Sequence, residues 1–319
     1  MEIIKRLYSF DGTIKYLLRL DDGAIIETVF YPYSRISSLI IKIIFWCSYL
    51  KIPFSLYNFS PLKLFYQHTD YYGICVSSQV GCPLGCKFCA TGKQKFVRNL
   101  TFEEIMEQVT TVLEDYRPKN IKKIEIVFAG MGEPLLNYEN VITAIKAFSN
   151  RLRSYGIEEV FPSLMTVGIL PALLNLIKDE IEVNLFVSLH SVRDELRSKL
   201  MPIGDRFKIK DILEAAFEYQ KQIGVRSVRI NYTLIKGVND SKEDASILAE
   251  MVKSLNFVAQ IKMFNPISGI GYRKVSLLGL RKFLKILKQS GVNYMFDISK
   301  GISNTSGCGQ LKYYYNKIN

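Results

Sequence analysis

Three cysteines fall within eight residues in Gly81-Cys82-Pro83-Leu84-Gly85-Cys86-Lys87-Phe88-Cys89. The spacing is C-x3-C-x2-C. Thiolates are soft ligands, suited to iron–sulfur clusters and zinc. A tight loop can bring three of them to one cubane cluster, whereas ferredoxin-type clusters use four. No fourth ligand stands nearby, so a cluster held here keeps one iron open. An open coordination position is what a catalytic metal centre needs to bind a substrate or cofactor directly. Structural zinc would want a fourth ligand at a regular spacing, and disulfides would leave one of the three cysteines over. Gly81 and Gly85 permit the backbone angles of such a loop.

Other residues of interest stand further along the chain. Gly130-Met131-Gly132-Glu133-Pro134 follows an expected strand. Its small residues allow close approach of a ligand to the backbone, and Glu133 offers a carboxylate to an ammonium group. Ser188-Leu189-His190 and Asn265-Pro266 also fall at expected strand ends. Cys75 precedes Cys82 by seven residues, and Cys308 sits in the tail within Gly307-Cys308-Gly309. Taken singly, a lone cysteine reads as a small buried hydrophobe.

The 319 residues are 48% apolar, enough for one large core, and carry a formal net charge of +12. That excess suits a polyanion, nucleic acid above all, through phosphate neutralisation. The start, Met1-Glu2-Ile3-Ile4-Lys5-Arg6, does not resemble a secretory signal. A reducing cytoplasm is therefore expected, in which the six cysteines are metal ligands or redox thiols before they are structural disulfides. With only two histidines, a His-rich zinc site is disfavoured. The apolar stretch Ile36 to Phe54 contains Lys42 and Lys51 and is read as a buried or surface-docked helix rather than a membrane span.

The elements that must position these residues follow from periodicity. Ile14 to Leu20 and Ala24 to Phe30 form an expected hairpin around Asp21-Asp22-Gly23. Strands are expected at Tyr72–Ser78, Lys123–Phe128, Ser163–Val167, Val183–Leu189, Ser227–Ile235, Gln260–Phe264 and Tyr294–Ile298. Helices are expected after Thr101, whose partner Glu104 completes a capping box, and near 140–151, 171–178, 208–222, 241–255 and 277–290. Repeated strand–helix units imply parallel strands with right-handed crossovers. The expected fold is α/β: a partial (β/α)6 barrel with a small N-terminal β-hairpin extension. Its chemistry would sit at the C-terminal strand ends. The expected divisions are 1–71, hairpin plus apolar insertion; 72–299, barrel; and 300–319, the tail carrying Cys308.

The C-x3-C-x2-C loop with Phe88 before its last cysteine resembles the signature of the radical S-adenosylmethionine (SAM) superfamily. With Cys75 and Cys308 added, the chain resembles the RlmN/Cfr family of RNA methyltransferases. Phe10-Asp11-Gly12-Thr13, Ile26-Glu27-Thr28-Val29, Phe88-Cys89-Ala90-Thr91-Gly92, Arg98-Asn99-Leu100 and Gly237-Val238-Asn239-Asp240 carry that likeness. The stretches from Val187 to Ser191 and from Arg197 to Ile203 look particularly like the Cfr branch.

The resemblance implies a [4Fe-4S] cluster on Cys82, Cys86 and Cys89. It implies a SAM site using Gly132, Glu133, Ser188, Leu189, His190, Asn265 and Phe88. It further implies methylation of adenine C2 or C8 in 23S rRNA, with tRNA as a further substrate, in two stages. One SAM methylates Cys308. A second is cleaved to a 5′-deoxyadenosyl radical, which activates that methyl group for addition to the base. Cys75 then releases the product through a transient disulfide with Cys308, and Glu27 matches the candidate proton acceptor. Also implied are an electron donor such as a flavodoxin or ferredoxin, no membrane partner, and a monomer. Lys87, Lys93, Lys95 and Arg98 are candidate phosphate contacts.

The chain departs from the family pattern in four places. The hairpin begins within ten residues of Met1, read as absence of the separate N-terminal helical domain. Residues 34–70 read as an insertion. Met165 stands where a serine hydroxyl would touch SAM. Ser303-Asn304-Thr305-Ser306 replaces an acidic lead-in to Cys308. These departures leave open a second reading, the same methyl-cysteine chemistry on a peptide or small molecule.

Overall fold

The structure is a computed structural model that describes residues 1–9, 11–33, 69–118, 120–225, 227–301, 307 and 309–311. The chain opens with an antiparallel meander of β1 (Glu2–Tyr8), β2 (Ile14–Arg19) and β3 (Ile25–Tyr33). β3 then pairs antiparallel with β4 (Tyr71–Val76), so the meander extends the main sheet. A small ribbon of β5 (Gln79–Val80) and β6 (Arg98–Asn99) brackets the cysteine loop.

Regular alternation follows: α1 (Phe102–Tyr116), β7 (Lys123–Phe128), α2 (Tyr138–Arg151), β8 (Glu159–Thr166), α3 (Leu170–Lys178) and β9 (Asn184–Ser188). Then come α4 (Asp194–Leu200), α5 (Ile209–Ile223), β10 (Arg229–Leu234), α6 (Lys242–Ser254), β11 (Val258–Met263), α7 (Leu277–Gln289) and β12 (Tyr294–Phe296).

In the ten-stranded sheet the order is β1-β2-β3-β4-β7-β8-β9-β10-β11-β12, with every pair from β4 to β12 parallel. Each crossover steps to the next neighbour in one direction. Right-handed crossovers of that kind put the helices on one face and leave the other to curl inward. Six crossovers joining the parallel strands agree with the expected six-unit fold. β1 and β12 are the sheet edges among the described residues.

The core lies between sheet and helices because both present apolar faces there. α1 shows the local logic. Thr101 Oγ1 accepts from Glu104 N–H, Glu104 Oε2 accepts from Thr101 N–H, and Ile105, Val109 and Val112 are fully buried. The reciprocal cap satisfies backbone donors that a helix N-terminus leaves open.

β1, the short strands β5 and β6, and α4 lie outside the expected elements. β1 is a half-exposed edge strand held by long-range partners: the Met1 amino group bonds Glu107, and Arg6 bonds Asp115. α4 has seven residues, too few to establish helical periodicity. Among the described residues no helix is long and apolar enough to cross a membrane. The stretch Ile36 to Phe54 lies outside them.

Candidate active site at the strand C-termini

One cavity of about 420 Å³ opens where the parallel strands end. Cys82, Cys86 and Cys89 all line it. Their loop is mounted on the β5–β6 ribbon, where Val97 N–H donates to Val80 O at 2.9 Å. A side chain at Gly81 would put its Cβ 2.2 Å from Lys95 O, so the close return of the loop requires glycine there. Lys87 N–H reaches Leu200 O at 2.9 Å and ties the loop to α4.

Burial pushes the Cys82 thiol up to about 12, and it pushes Cys86 well up, with Cys89 and Cys82 adding to the effect. Burial outweighs the opposing effect of Arg197 on Cys86, and a bound metal centre reverses that balance. Among the described residues no three His, Cys, Asp or Glu groups converge as the ligands of a single ion would. Thiolates on separate corners of an iron–sulfur cube stand farther apart than the ligands of one zinc.

Arg197 lies behind this loop, beside Cys86. Its side chain is fully buried, Nη1 donates to Phe207 O at 3.0 Å, Nη2 donates to Val167 O at 2.6 Å, and Nε has no partner among the described residues. Burial lowers its pKa to about 10, while Asp194 and Cys86 raise it. Three cavity-lining thiols with a buried cation beside Cys86 suit an anionic thiolate cluster, so the donor set fits that group. In the sequence Arg197 stands out only as part of the stretch Arg197 to Ile203 that carries the family likeness.

Glu133 is 3% exposed. Its Oε1 accepts from Thr166 Oγ1 at 2.6 Å and from Leu135 N–H at 3.1 Å, and Oε2 accepts from Val167 N–H at 3.0 Å. Burial raises its pKa to about 7 against these hydrogen bonds. The carboxyl is thus aimed and underpaired in charge, as a seat for an ammonium group should be. Thr166 supplies a hydroxyl here, next to the Met165 that cannot. Gly130 and Gly132 both line the cavity. A Cβ on Gly130 would also meet Val76 O at 2.6 Å, and one on Gly132 would meet Gln79 Cβ at 2.6 Å, so packing against the end of β4 and against Gln79 demands small residues there as well.

Phe88 lies edge-on to His190, with ring centroids 4.9 Å apart. His190 adopts a left-handed φ of 56°. Its carbonyl accepts from Asn239 Nδ2 at 2.8 Å, and its Nδ1 accepts from Thr233 N–H at 3.1 Å. Burial, with Lys262 and Arg197 nearby, lowers its pKa to about 3. The ring is therefore neutral and carries its proton on Nε2. Ser188 and His190 line the cavity, whereas Leu189 is in the hydrophobic core. Asn265 is turned to the tail: its Nδ2 donates to Ser299 Oγ at 2.9 Å.

The opposite wall is built from β3, β4, deeper strand positions and the tail. Cys75, Tyr31 and Tyr33 line it. Glu125 accepts from the hydroxyls of Tyr33 and Ser163. Glu27 shares the face of Val29 by strand alternation but is 1% exposed and paired with Lys15 at 3.4 Å. Gly307 and Gly309 line the cavity. Cys308 itself, like Phe10 and residues 34–68, lies outside the described residues.

Cys75, Cys82, Cys86 and Cys89 carry thiols, so the expected disulfide is not a standing bond of Cys75. Arg98 is corrected as a phosphate contact, since Asp22 and Glu104 hold its guanidinium at 2.7 Å each. Lys93 Nζ donates to Gly269 O at 2.6 Å, and Lys87 and Lys95 are exposed.

Comparison with known proteins agrees with this geometry. A profile of the radical SAM superfamily matches residues 76–248. The probable dual-specificity RNA methyltransferase RlmN of Dictyoglomus turgidum is 35% identical over 314 residues, covering 98% of this chain and 80% of that protein. The dual-specificity RNA methyltransferase RlmN of Pseudomonas entomophila is 35% identical, covering 97% of this chain and 73% of that protein. The crystal structure of a radical SAM methyltransferase from Sphaerobacter thermophilus superposes with a TM-score of 0.80 at 30% identity, covering 98% of this chain and 81% of the other. A cysteine-lined cavity at the strand ends and matches across nearly the whole chain lead to one conclusion: the chain belongs to the radical SAM superfamily and, within it, to the RlmN family of RNA methyltransferases.

Proposed function

We propose that the protein methylates C2 or C8 of an adenine in 23S rRNA, with tRNA as a second substrate, through a methyl group carried on Cys308. The observation that carries this reading is that Cys75, the three loop cysteines and both neighbours of Cys308 line one cavity. We likewise read 72–299 as the catalytic barrel, 1–71 as its extension and 300–319 as the delivering tail.

In this reading Cys82, Cys86 and Cys89 hold a [4Fe-4S] cluster, and Arg197 balances its charge. Glu133 receives the SAM ammonium group, Phe88 lies by the adenine, and Ser188, His190 and Asn265 give polar contacts, His190 as a neutral Nε2–H donor. When bound, cluster and SAM supply the methyl group and the reductive hydrogen-abstracting chemistry that an unreactive ring carbon requires.

The chain's own residues do the rest. Cys308 presents the carried carbon to the base. Cys75 must lose its proton before its sulfur attacks Cys308, because the thiolate is the nucleophile in exchange. Glu27 accepts the ring proton only after its pairing with Lys15 loosens, since a carboxylate held by an ammonium is a weakened base. The base itself must leave its stack to enter the cavity.

The test is anaerobic reconstitution with SAM and a reductant, followed by mass spectrometry of nucleosides from unmodified ribosomal RNA. Appearance of 2-methyl- or 8-methyladenosine, lost in Cys308→Ala, is expected. Formation of 5′-deoxyadenosine with no RNA product would overturn the RNA reading.

A further inference from the structure

The tail is fastened at both ends to segments far from it in sequence. At its start, the Lys300 ammonium lies 4.2 Å and 3.9 Å from the ring centroids of Tyr31 and Tyr33 and donates to Pro32 O at 3.3 Å. Gly301 N–H donates to Asp11 Oδ2 at 2.8 Å. At the far end, Ala90 N–H donates to Gly309 O at 2.7 Å, and Thr91 Oγ1 donates to Leu311 O at 2.6 Å. Ala90, Thr91 and Leu311 are all buried. Gln310 Nε2 adds a bond to Pro266 O at 3.0 Å.

The far anchors immediately follow Cys89. One short segment, Phe88 to Thr91, thus faces the cavity with its cysteine and grips the tail with an amide and a hydroxyl. The two sets of anchors bracket residues 302–308 in sequence, here called the strap, and Cys308 is the residue before the gripped Gly309. A group tethered at one end samples a wide volume, and intramolecular reactions lose effective concentration when that volume grows. Thr91 lines the cavity, and its hydroxyl is engaged with Leu311 O.

We propose that Thr91 is a positioning residue whose hydroxyl, with the Ala90 amide, fixes the reach of Cys308 from the three-cysteine loop, while Lys300 clasps the other end of the strap. The inference rests on the reading of Cys308 as methyl carrier. A purely space-filling Thr91 would tolerate Val, which keeps the shape and removes the hydroxyl. A positioning Thr91 tolerates Ser, which keeps the hydroxyl.

The experiment compares wild type, Thr91→Val, Thr91→Ser and Lys300→Met in the cluster-loaded, full-length protein. Iron content, SAM affinity, 5′-deoxyadenosine, S-methyl-Cys308, methyladenosine and deuterium uptake of the tail are measured. Thr91→Val should keep iron and SAM affinity, take up deuterium faster in the tail, and lower the ratio of methyladenosine to 5′-deoxyadenosine by about tenfold or more. Thr91→Ser should stay near wild type, and Lys300→Met should show a smaller loss of that ratio. Wild-type ratio and tail exchange in Thr91→Val would overturn the proposal. If Thr91→Val loses iron, Lys300→Met decides, and an unchanged ratio there sinks the strap. If wild type makes 5′-deoxyadenosine but neither S-methyl-Cys308 nor methyladenosine, the functional reading fails. Tail exchange in Thr91→Val still decides the anchoring.

Discussion

The two walls of the cavity handle charge in opposite ways. On the cluster wall, burial holds the Cys82 and Cys86 thiols protonated, keeps His190 neutral and raises Glu133 to about 7. Arg197 is its buried cation. The far wall carries charge: Lys300 lies against the rings of Tyr31 and Tyr33, and Glu125 accepts from the hydroxyls of Tyr33 and Ser163. The difference teaches what each wall awaits. The cluster wall is aimed by hydrogen bonds but left short of charge, so arriving cofactors complete it. The far wall already holds its charged groups against partners of its own and joins segments distant in sequence.

The largest test of this contrast removes one cysteine from each wall. Cys86→Ala should abolish iron binding and all product while the fold persists, because the β5–β6 ribbon mounts the loop independently of the thiol. Cys75→Ala should keep iron and SAM cleavage yet accumulate a covalent enzyme–RNA adduct. Loss of SAM cleavage in Cys75→Ala would erase the distinction between the walls.

Next in size is Glu133→Gln. It keeps the shape but cannot pair with an ammonium group, so SAM affinity measured by equilibrium dialysis should fall about 10- to 100-fold. An unchanged affinity would mean that the cluster wall does not await that charge.

The pH dependence sharpens the same point. A carboxyl raised to about 7 is protonated below that pH and ionised above it. Only the ionised form pairs with a cation, so SAM affinity should be greatest above pH 7 and fall by about tenfold per unit below it. The bound ammonium lowers the pKa, so the fall levels off at more acidic pH. His190, held near 3, should add no break between pH 5 and 9.

The smallest effect is expected at Thr101→Ala, which removes the α1 cap. Denaturant midpoints should report a loss of about 1 kcal/mol, with iron content and SAM affinity unchanged. A loss of iron there would tie the cluster wall to α1 more tightly than the geometry allows.

Much of this is legible in the sequence. The strand Lys123–Phe128, the α1 capping box and the order of strands and helices follow from local pattern, and strand ends moved by a few residues at most. The three cysteines were legible because their ligation is local, within one loop. Glu133 was recognisable as a carboxylate, but its pKa depends on burial under Thr166 and Val167. Arg197, the Thr91–Leu311 bond and the Lys15–Glu27 pair were not legible, because each joins side chains to partners set by packing. That Gly130 also makes room for the Val76 backbone, and Gly132 for the Gln79 side chain, was not legible, because those neighbours come from other segments.

By itself, the sequence determined which residues could bear chemistry and the succession of elements that carry them. Hydrophobic period and turn residues act over a few positions, and cysteine spacing within a loop is covalent. Only the tertiary structure decided which of those residues share a cavity, which acids and thiols are neutral there, and where the tail is fastened. Desolvation and long-range hydrogen bonds exist only once distant segments are packed together.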